Sequence, residues 1–274
     1  MADLSQHGHE VLGTDLVPPT NDGTVTEAAF LRADLTDYGQ AVEVLAGVDA
    51  VIHLANIPAP GLRTPSATFN QNITMNFNVF QAATQTGIGR VVWASSETTL
   101  GLPFDVPPRY APVDEDHYPV PTSTYALSKV ASETVASQIA QWSGMPFIAL
   151  RFSNILGPAD YPDFPSFSDD PARRKWNLWG YIDERDVAMA CRLALNADIS
   201  SVADGNSASF IIAAADTVMS QPSAELMRQV FPDVPLRGPI SGNTTLLSID
   251  RARQVLGFEP RHSWRDNVSA SAPG

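Results

Sequence analysis

Tyr125 and Lys129 are the residues best suited to chemistry, and they lie four positions apart in the segment Thr124-Tyr-Ala-Leu-Ser-Lys129. On a helix this spacing places both side chains on one face. An ammonium beside a phenol favours the phenolate, so the pKa of the tyrosine falls from about 10 toward neutrality. Tyr125 is therefore a candidate general acid/base. The alternative is an incidental pair on an exposed helix, although chance pairing is rare with two lysines and six tyrosines.

The surrounding elements alternate between short apolar strands and longer helices. We predict strands at 11–15, 30–33, 50–55, 90–95 and 146–152, and helices at 38–45, 67–86, 124–142 and 183–195. This alternation indicates a parallel sheet covered on both faces, which is the doubly wound α/β class. Ligands of such folds bind at the carboxyl ends of the strands, where the pair Ser95-Ser96 lies.

Composition narrows the classes of function. The chain has 274 residues, which suits one large α/β domain with room for a small lobe. Its net charge of −13 and lack of a basic run make nucleic acid and anionic membranes poor partners. Cys191 is the only cysteine and lies in an apolar helical stretch, so we expect a buried thiol and no metal site. Without a membrane span or a signal-peptide pattern, a cytoplasmic location is expected.

Eight segments, in order, resemble the extended short-chain dehydrogenase/reductase family, also called the NAD-dependent epimerase/dehydratase family. The resemblance covers residues 4–265, and the segments are 8–15, 33–35, 51–55, Asn72, 91–96, 125–129, 150–158 and 181–187. It implies a Rossmann-like cofactor-binding region over 1–158. Over 159–274 it implies a short substrate lid, a returning helix and a small C-terminal substrate lobe.

The resemblance assigns roles to the matching residues. Tyr125 would be the catalytic acid/base, Lys129 would lower its pKa and hold the nicotinamide ribose, and Ser96 would hydrogen-bond the reacting oxygen. The residues implied to bind NAD are Asp15, Asp34, Leu35, Leu54, Ala55, Asn72, Phe152 and Ser153. Those implied to contact the substrate are Glu97, Asn154 and Trp176.

Several of these residues also have a plain structural interpretation. Leu54, Ala55 and Phe152 could simply pack the end of the sheet, and Asp15 could do no more than end a strand. Asn72 could be a solvated helix residue. His53 invites a catalytic interpretation, but we expect a packed strand residue at its position.

The start of the chain departs from the family pattern. The family opens with a strand and a Gly-x-x-Gly-x-x-Gly turn, whose amides receive the pyrophosphate at a helix N-terminus, and this sequence has no such motif. Counting back about 20 residues from Asp15 places the loop before Met1 and makes 2–6 the last turn of the first helix. We favour an incomplete start, with a real loss of the pyrophosphate site as the alternative. We expect the chain from Met1 to bind NAD weakly or not at all.

Two acidic residues indicate which cofactor and which reaction to expect. Asp15 favours NAD over NADP, because a carboxylate binds the ribose diol and repels a 2′-phosphate. Glu97 is followed by Thr98, whereas the dehydratases of the family carry two successive acids there, so dehydration is less expected.

The segment 159–180 is short for a site that holds both a nucleotide and a sugar. This favours a compact member, similar to uronate dehydrogenase, with a small sugar, sugar acid or polyol as substrate. Cations and tryptophans crowd the segment as Arg173, Arg174, Lys175, Trp176 and Trp179. They are either a mobile lid with cations for a carboxylate or a solvated loop with two packing tryptophans.

Two functional classes stay open. One is an NAD-dependent oxidoreductase or epimerase that uses the Ser–Tyr–Lys set. The other is a Rossmann-like binding or regulatory protein without a pyrophosphate site. The resemblance also implies a homodimer in which helices 67–86 and 124–142 pair across a two-fold axis. Candidate contacts, which could instead face the sheet, are Ile73, Phe77, Phe80, Val130, Val135 and Ile139.

Overall fold

The computed structural model describes residues 1–19 and 28–269. Its helices are α1 (Ala2–Gln6), α2 (Tyr38–Leu45), α3 (Pro65–Thr86), α4 (Thr124–Ser143), α5 (Glu184–Asn196), α6 (Ser223–Val230), α7 (Asp250–Leu256) and α8 (Trp264–Ser269). Its strands are β1 (Leu12–Asp15), β2 (Ala29–Arg32), β3 (Val51–His53), β4 (Val91–Ser96), β5 (Phe147–Phe152), β6 (Ile155–Leu156), β7 (Ile182–Asp183) and β8 (Ser207–Ile212). The predicted strands and helices are confirmed to within two residues at each end.

The strands form parallel pairs of a Rossmann-like α/β fold. Strand β1 pairs in parallel with β2, with Leu12 opposite Ala29. A separate sheet has the order β3-β4-β5-β8, in which β3 runs parallel to β4 with Val51 opposite Val91. We expected the five predicted strands to be neighbours in one sheet. In the described residues the sheet instead divides between β1 and β3, where the sequence predicted an unfilled strand position.

Helix α4 has well-defined ends, and these fix the position of Tyr125. It begins after Ser123, whose Oγ accepts the N–H of Ala126 at 3.1 Å. It ends at Gly144, which adopts the left-handed conformation (φ 72°) that a helix C-terminus favours and that glycine tolerates. Tyr125 therefore lies in the first turn of α4, and Lys129 lies one turn later on the same face.

The chain divides into two compact units. The first unit is Met1–Ser95, Ser123–Ala149 and Cys191–Ala208, and the second is Ser96–Thr122, Leu150–Ala190 and Ser209–Gly274. In the first unit the ring of Phe80 lies 5.2 Å from those of both Trp93 and Phe147. Phe80 and Ile139 belong to this core, so these two predicted dimer contacts face the sheet instead.

The core of the second unit is built on aromatic rings and buried carboxylates. Phe164 packs against Tyr161, Tyr181 and Trp264 at centroid distances of 5.3–5.9 Å. Asp186 is fully buried and accepts hydrogen bonds from the backbone N–H groups of Arg261 and His262, each at 3.0 Å. These contacts secure the C-terminal segment within the unit. Over 1–19 and 28–269, no helix combines the length and the apolar character that crossing a bilayer requires.

Candidate active site

Tyr125 and Lys129 meet on α4 as their spacing predicts. Both side chains are buried, and Lys129 Nζ lies 5.6 Å from the centre of the Tyr125 ring. The ammonium also donates a hydrogen bond to the carbonyl oxygen of Ala94, at 2.7 Å, near the end of β4. The lysine therefore connects the tyrosine-bearing turn of α4 to the end of a central strand.

Burial changes the ionisation of Lys129. Desolvation lowers its pKa to about 7, and the charge of Glu133 acts in the opposite direction. A lysine in this condition changes charge near neutral pH, so its neighbours decide how much of it is charged.

The two serines at the end of β4 have different partners. Ser95 belongs to the first unit, and its hydroxyl donates to Glu133 Oε1 at 2.5 Å. Ser96 belongs to the second unit and begins a 3-10 turn, Glu97–Leu100, with its Oγ accepting the N–H of Thr98 at 3.2 Å. The backbone of Ser96 is held further by the Thr99 hydroxyl, which donates to its carbonyl oxygen at 2.9 Å.

The acids implied to bind the adenosine end of NAD lie at the end of β1, where Asp15 is the last residue, and just after β2, where Asp34 follows. Asp15 is exposed, and its carboxylate accepts the N–H of Val17 at 3.1 Å. Hydrogen bonds from the hydroxyl and the backbone N–H of Thr36 lower the pKa of Asp34. Among the apolar residues assigned to the same cofactor, Leu35 is buried whereas Leu54 is 52% exposed.

Asn72 is buried and not solvated. Its Oδ1 accepts the N–H of Ile57 at 2.7 Å, and its Nδ2 donates to the Ile57 carbonyl oxygen at 3.1 Å. The side chain thus holds the loop after β3. His53 is packed as expected, 2.8 Å from Asn76 Oδ1, and burial lowers its pKa to about 4, so it is neutral near pH 7.

Glu97 is a buried carboxyl group in the second unit. Asn177 Nδ2 donates to Glu97 Oε1 at 3.3 Å and to the Gly180 carbonyl oxygen at 2.9 Å. Arg174 donates to that same carbonyl at 3.1 Å. Desolvation raises the pKa of Glu97 to about 7, against opposing contributions from the neighbouring Ser153, Asn177 and Arg174. The sequence identified Glu97 but gave no sign of its contact with the segment 174–180.

The segment that contacts Glu97 has an unusual backbone. Arg174, Leu178 and Trp179 all have positive φ angles, between 53° and 59°, which side-chain-bearing residues rarely adopt. Trp179 is fully buried, whereas Trp176 is 36% exposed and lies beneath the Arg174 guanidinium at 5.3 Å from its ring centre. Of the two expected packing tryptophans, only Trp179 is buried in the core.

The remaining predicted residues of the second unit follow β5. Phe152 and Ser153 are buried, and Asn154 is partly exposed. The thiol of Cys191, in the first unit, is buried as predicted, and desolvation raises its pKa to about 12. In the part of the chain that the structure describes, no group of three or more His, Cys, Asp or Glu side chains is arranged to hold a metal ion.

A profile of the NAD dependent epimerase/dehydratase family matches residues 1–202. The chain is 25% identical to the UDP-glucose 4-epimerase of Lacticaseibacillus casei over 89% of its own length and 82% of that protein. Its fold is similar to that of a UDP-glucose 4-epimerase from Thermotoga maritima crystallised with UDP-glucose, at a TM-score of 0.70, 20% identity, and coverage of 97% and 91% of the two chains. A mutated uronate dehydrogenase is similar at a TM-score of 0.66 and 20% identity, over 100% and 81%.

The profile match extends over most of the chain, and the parallel α/β fold agrees with it. The chain belongs to the NAD-dependent epimerase/dehydratase family, and it is an NAD-dependent enzyme of that class.

Proposed function

We propose that the protein is an NAD-dependent oxidoreductase or epimerase that acts on a small sugar, sugar acid or polyol through Ser96, Tyr125 and Lys129. The observation that carries this proposal is the buried Lys129 ammonium, 5.6 Å from the ring centre of Tyr125. A cation at that place favours the phenolate, which is the form that accepts a proton.

Each residue of the set has one task in the proton transfer. The Tyr125 phenolate takes the proton of a substrate hydroxyl, and the hydroxyl of Ser96 donates a hydrogen bond to the same oxygen. Lys129 stabilises the phenolate by its charge. Bound NAD would supply the acceptor for the hydride that leaves the carbon bearing this hydroxyl.

The cofactor we propose is NAD rather than NADP. Asp15 offers an exposed carboxylate at the end of β1, which suits a ribose diol and repels a 2′-phosphate. Lys129 suits the other ribose, because an ammonium has three donors and Ala94 takes one. The two ends of the dinucleotide thus have matching residues, while no glycine-rich turn of this sequence matches the pyrophosphate.

The second unit supports a small hydroxylated substrate. The segment 159–180 is short, and the charge of Arg174 acts on Glu97 rather than on a free site. The other two cations of the segment, Arg173 and Lys175, are exposed to solvent. Since the one partly buried cation of the segment acts on Glu97, we expect neutral aldoses and polyols to be used at least as well as uronic acids.

A nucleotide-sugar epimerase is the second candidate function. It is favoured by the similarity to the UDP-glucose 4-epimerase of L. casei over 82% of that protein. The two candidates differ in their products, because epimerisation of UDP-galactose yields UDP-glucose without net NADH, whereas oxidation of a free sugar releases NADH. One panel of UDP-sugars, aldoses, polyols and uronic acids separates them.

The catalytic set is tested on whichever substrate responds. Tyr125→Phe removes the proton acceptor and keeps the ring, so turnover should fall by about 10²–10⁴. Lys129→Ala should also lose activity but recover part of it at higher pH, where the phenolate forms unaided. Ser96→Ala should cost less than either.

The exposed Tyr38, replaced as Tyr38→Phe, is the matched control and should leave turnover unchanged. Wild-type turnover in Tyr125→Phe would show that the mechanism is wrong. A folded protein that turns over no member of the panel, even at NAD concentrations that saturate it, would support the binding or regulatory class instead.

A further inference from the structure

Glu133 is a charged residue beside the Tyr–Lys pair to which the proposed mechanism gives no task. The hydroxyl of Ser95 donates to Glu133 Oε1 at 2.5 Å, and the preceding residue, Ala94, accepts the hydrogen bond of Lys129 at 2.7 Å. Lys129 and Glu133 are one helical turn apart on α4. Two consecutive residues near the end of β4 therefore bind two successive turns of one face of α4, all within the first unit.

The charge of Lys129 depends on what surrounds it. The described groups that act on it are Tyr125 and Glu133 on α4, His53 on β3 and the Ala94 carbonyl on β4. His53 is neutral near pH 7, and any charge it gained would oppose that of Lys129. Against the cost of burial, the ammonium form is favoured by the hydrogen bond to the Ala94 carbonyl and by the carboxylate of Glu133, which supplies the opposite charge.

We infer that Glu133, oriented by Ser95, is a positioning residue that keeps Lys129 charged against Tyr125. The effect on turnover rests on the proposed function, whereas the charge state of Lys129 can be measured without any substrate. An experiment can therefore refute the proposed function without refuting the inference about Lys129, and the reverse.

The chain makes that measurement simple, because Lys129 and Lys175 are its only lysines. Protein labelled with ¹³C-lysine should give two Cε signals, and Lys175→Gln assigns them. A pH titration of the Lys129 signal should show its pKa lowered by about one unit or more in Glu133→Gln, since a neighbouring opposite charge shifts a pKa by about that much. Ser95→Ala should shift it in the same direction by less, because the carboxylate stays but loses its orienting bond.

Glu43→Gln is the matched control, because it removes an exposed carboxylate of the first unit from α2 and should leave the Lys129 titration unchanged. Circular dichroism checks that each variant is folded, and Ser95→Ala decides the question if Glu133→Gln does not fold. The inference is overturned if the folded variants titrate Lys129 as the wild type does.

Activity provides the second readout. If the mechanism needs a charged Lys129, the fall of kcat/KM at alkaline pH should begin at lower pH in Glu133→Gln, and Glu133→Asp should restore part of the difference. A shifted Lys129 titration with an unshifted rate profile would uphold the inference about charge and refute the proposed role of Lys129 in turnover.

Discussion

Glu97 carries its proton to higher pH in the folded protein than in the unfolded chain. Burial raises its pKa from 4.5 to about 7. Between these values the folded state binds more protons than the unfolded state, so this group's contribution to stability is full below pH 4.5 and is lost as the pH rises to 7. The carboxylate that remains above pH 7 is buried beside Asn177.

Glu97→Gln should remove this pH dependence and keep the volume of the side chain. The free energy of unfolding of the variant minus that of the wild type should be more favourable to the variant at pH 8 than at pH 5. The two differences should be about 1–3 kcal/mol apart. Urea unfolding at the two pH values measures them. Glu259→Gln is the control, because that carboxylate is exposed and belongs to the same unit. If Glu97→Gln differed from the wild type by the same unfolding free energy at both pH values, the raised pKa assigned to the buried Glu97 would be contradicted.

At the scale of elements, the segment 174–180 is held by close contacts as well as by Glu97. A Cβ on Gly180 would lie 2.7 Å from Leu247 Cδ1, 3.0 Å from Ser153 Oγ and 3.2 Å from the Asn177 carbonyl oxygen. Such distances are shorter than van der Waals contact, and one of the atoms belongs to the backbone. A side chain at this position has no room.

Gly180→Ala should therefore destabilise the protein by about 1–3 kcal/mol, as overpacking of a core does. Thermal unfolding followed by circular dichroism measures the loss. Gly39→Ala is the control, because it lies in α2, where its Cβ would meet only the Asp37 carboxylate and where alanine favours the helix. A Gly180→Ala protein as stable as the wild type would refute the close packing of this segment.

At the scale of the whole molecule, we propose a homodimer that forms through α3 and α4. Phe77 on α3 is 46% exposed, as is Leu127 on α4, and Trp142 on α4 is 69% exposed. Large apolar side chains exposed on two neighbouring helices are typical of a surface that another chain covers. Phe77 is one of the contacts that the sequence suggested, whereas Phe80 and Ile139 are core residues.

Light scattering should give twice the chain mass of 29.5 kDa at micromolar concentration. The double variant Phe77→Glu, Leu127→Glu should shift the protein to the monomer, because two carboxylates on each chain would be buried at the interface. Leu62→Glu, an exposed residue ahead of α3, should leave the dimer intact. A monomer mass for the unsubstituted protein would exclude this dimer.

The sequence by itself determined the features that depend on local spacing. Short apolar segments and the longer helical stretches between them predicted the strands β1–β5 and the helices α2–α5 to within two residues, but not β6–β8 or α6–α8. The four-residue interval placed Lys129 beside Tyr125. The buried states of His53 and Cys191 followed in the same way, since each lies within an apolar element. These features are set by the backbone geometry of one element at a time.

Only the tertiary structure decided the contacts between residues that are distant in the chain. Asn177 meets Glu97 across 80 positions, Ser95 meets Glu133 across 38, and Asn72 serves the loop at Ile57 rather than the solvent. The division of the sheet between β1 and β3 belongs to the same group. No local pattern encodes such contacts, because the sequence around a polar residue does not show whether its side chain faces water or a buried partner. The way in which the elements pack decides which partner it meets.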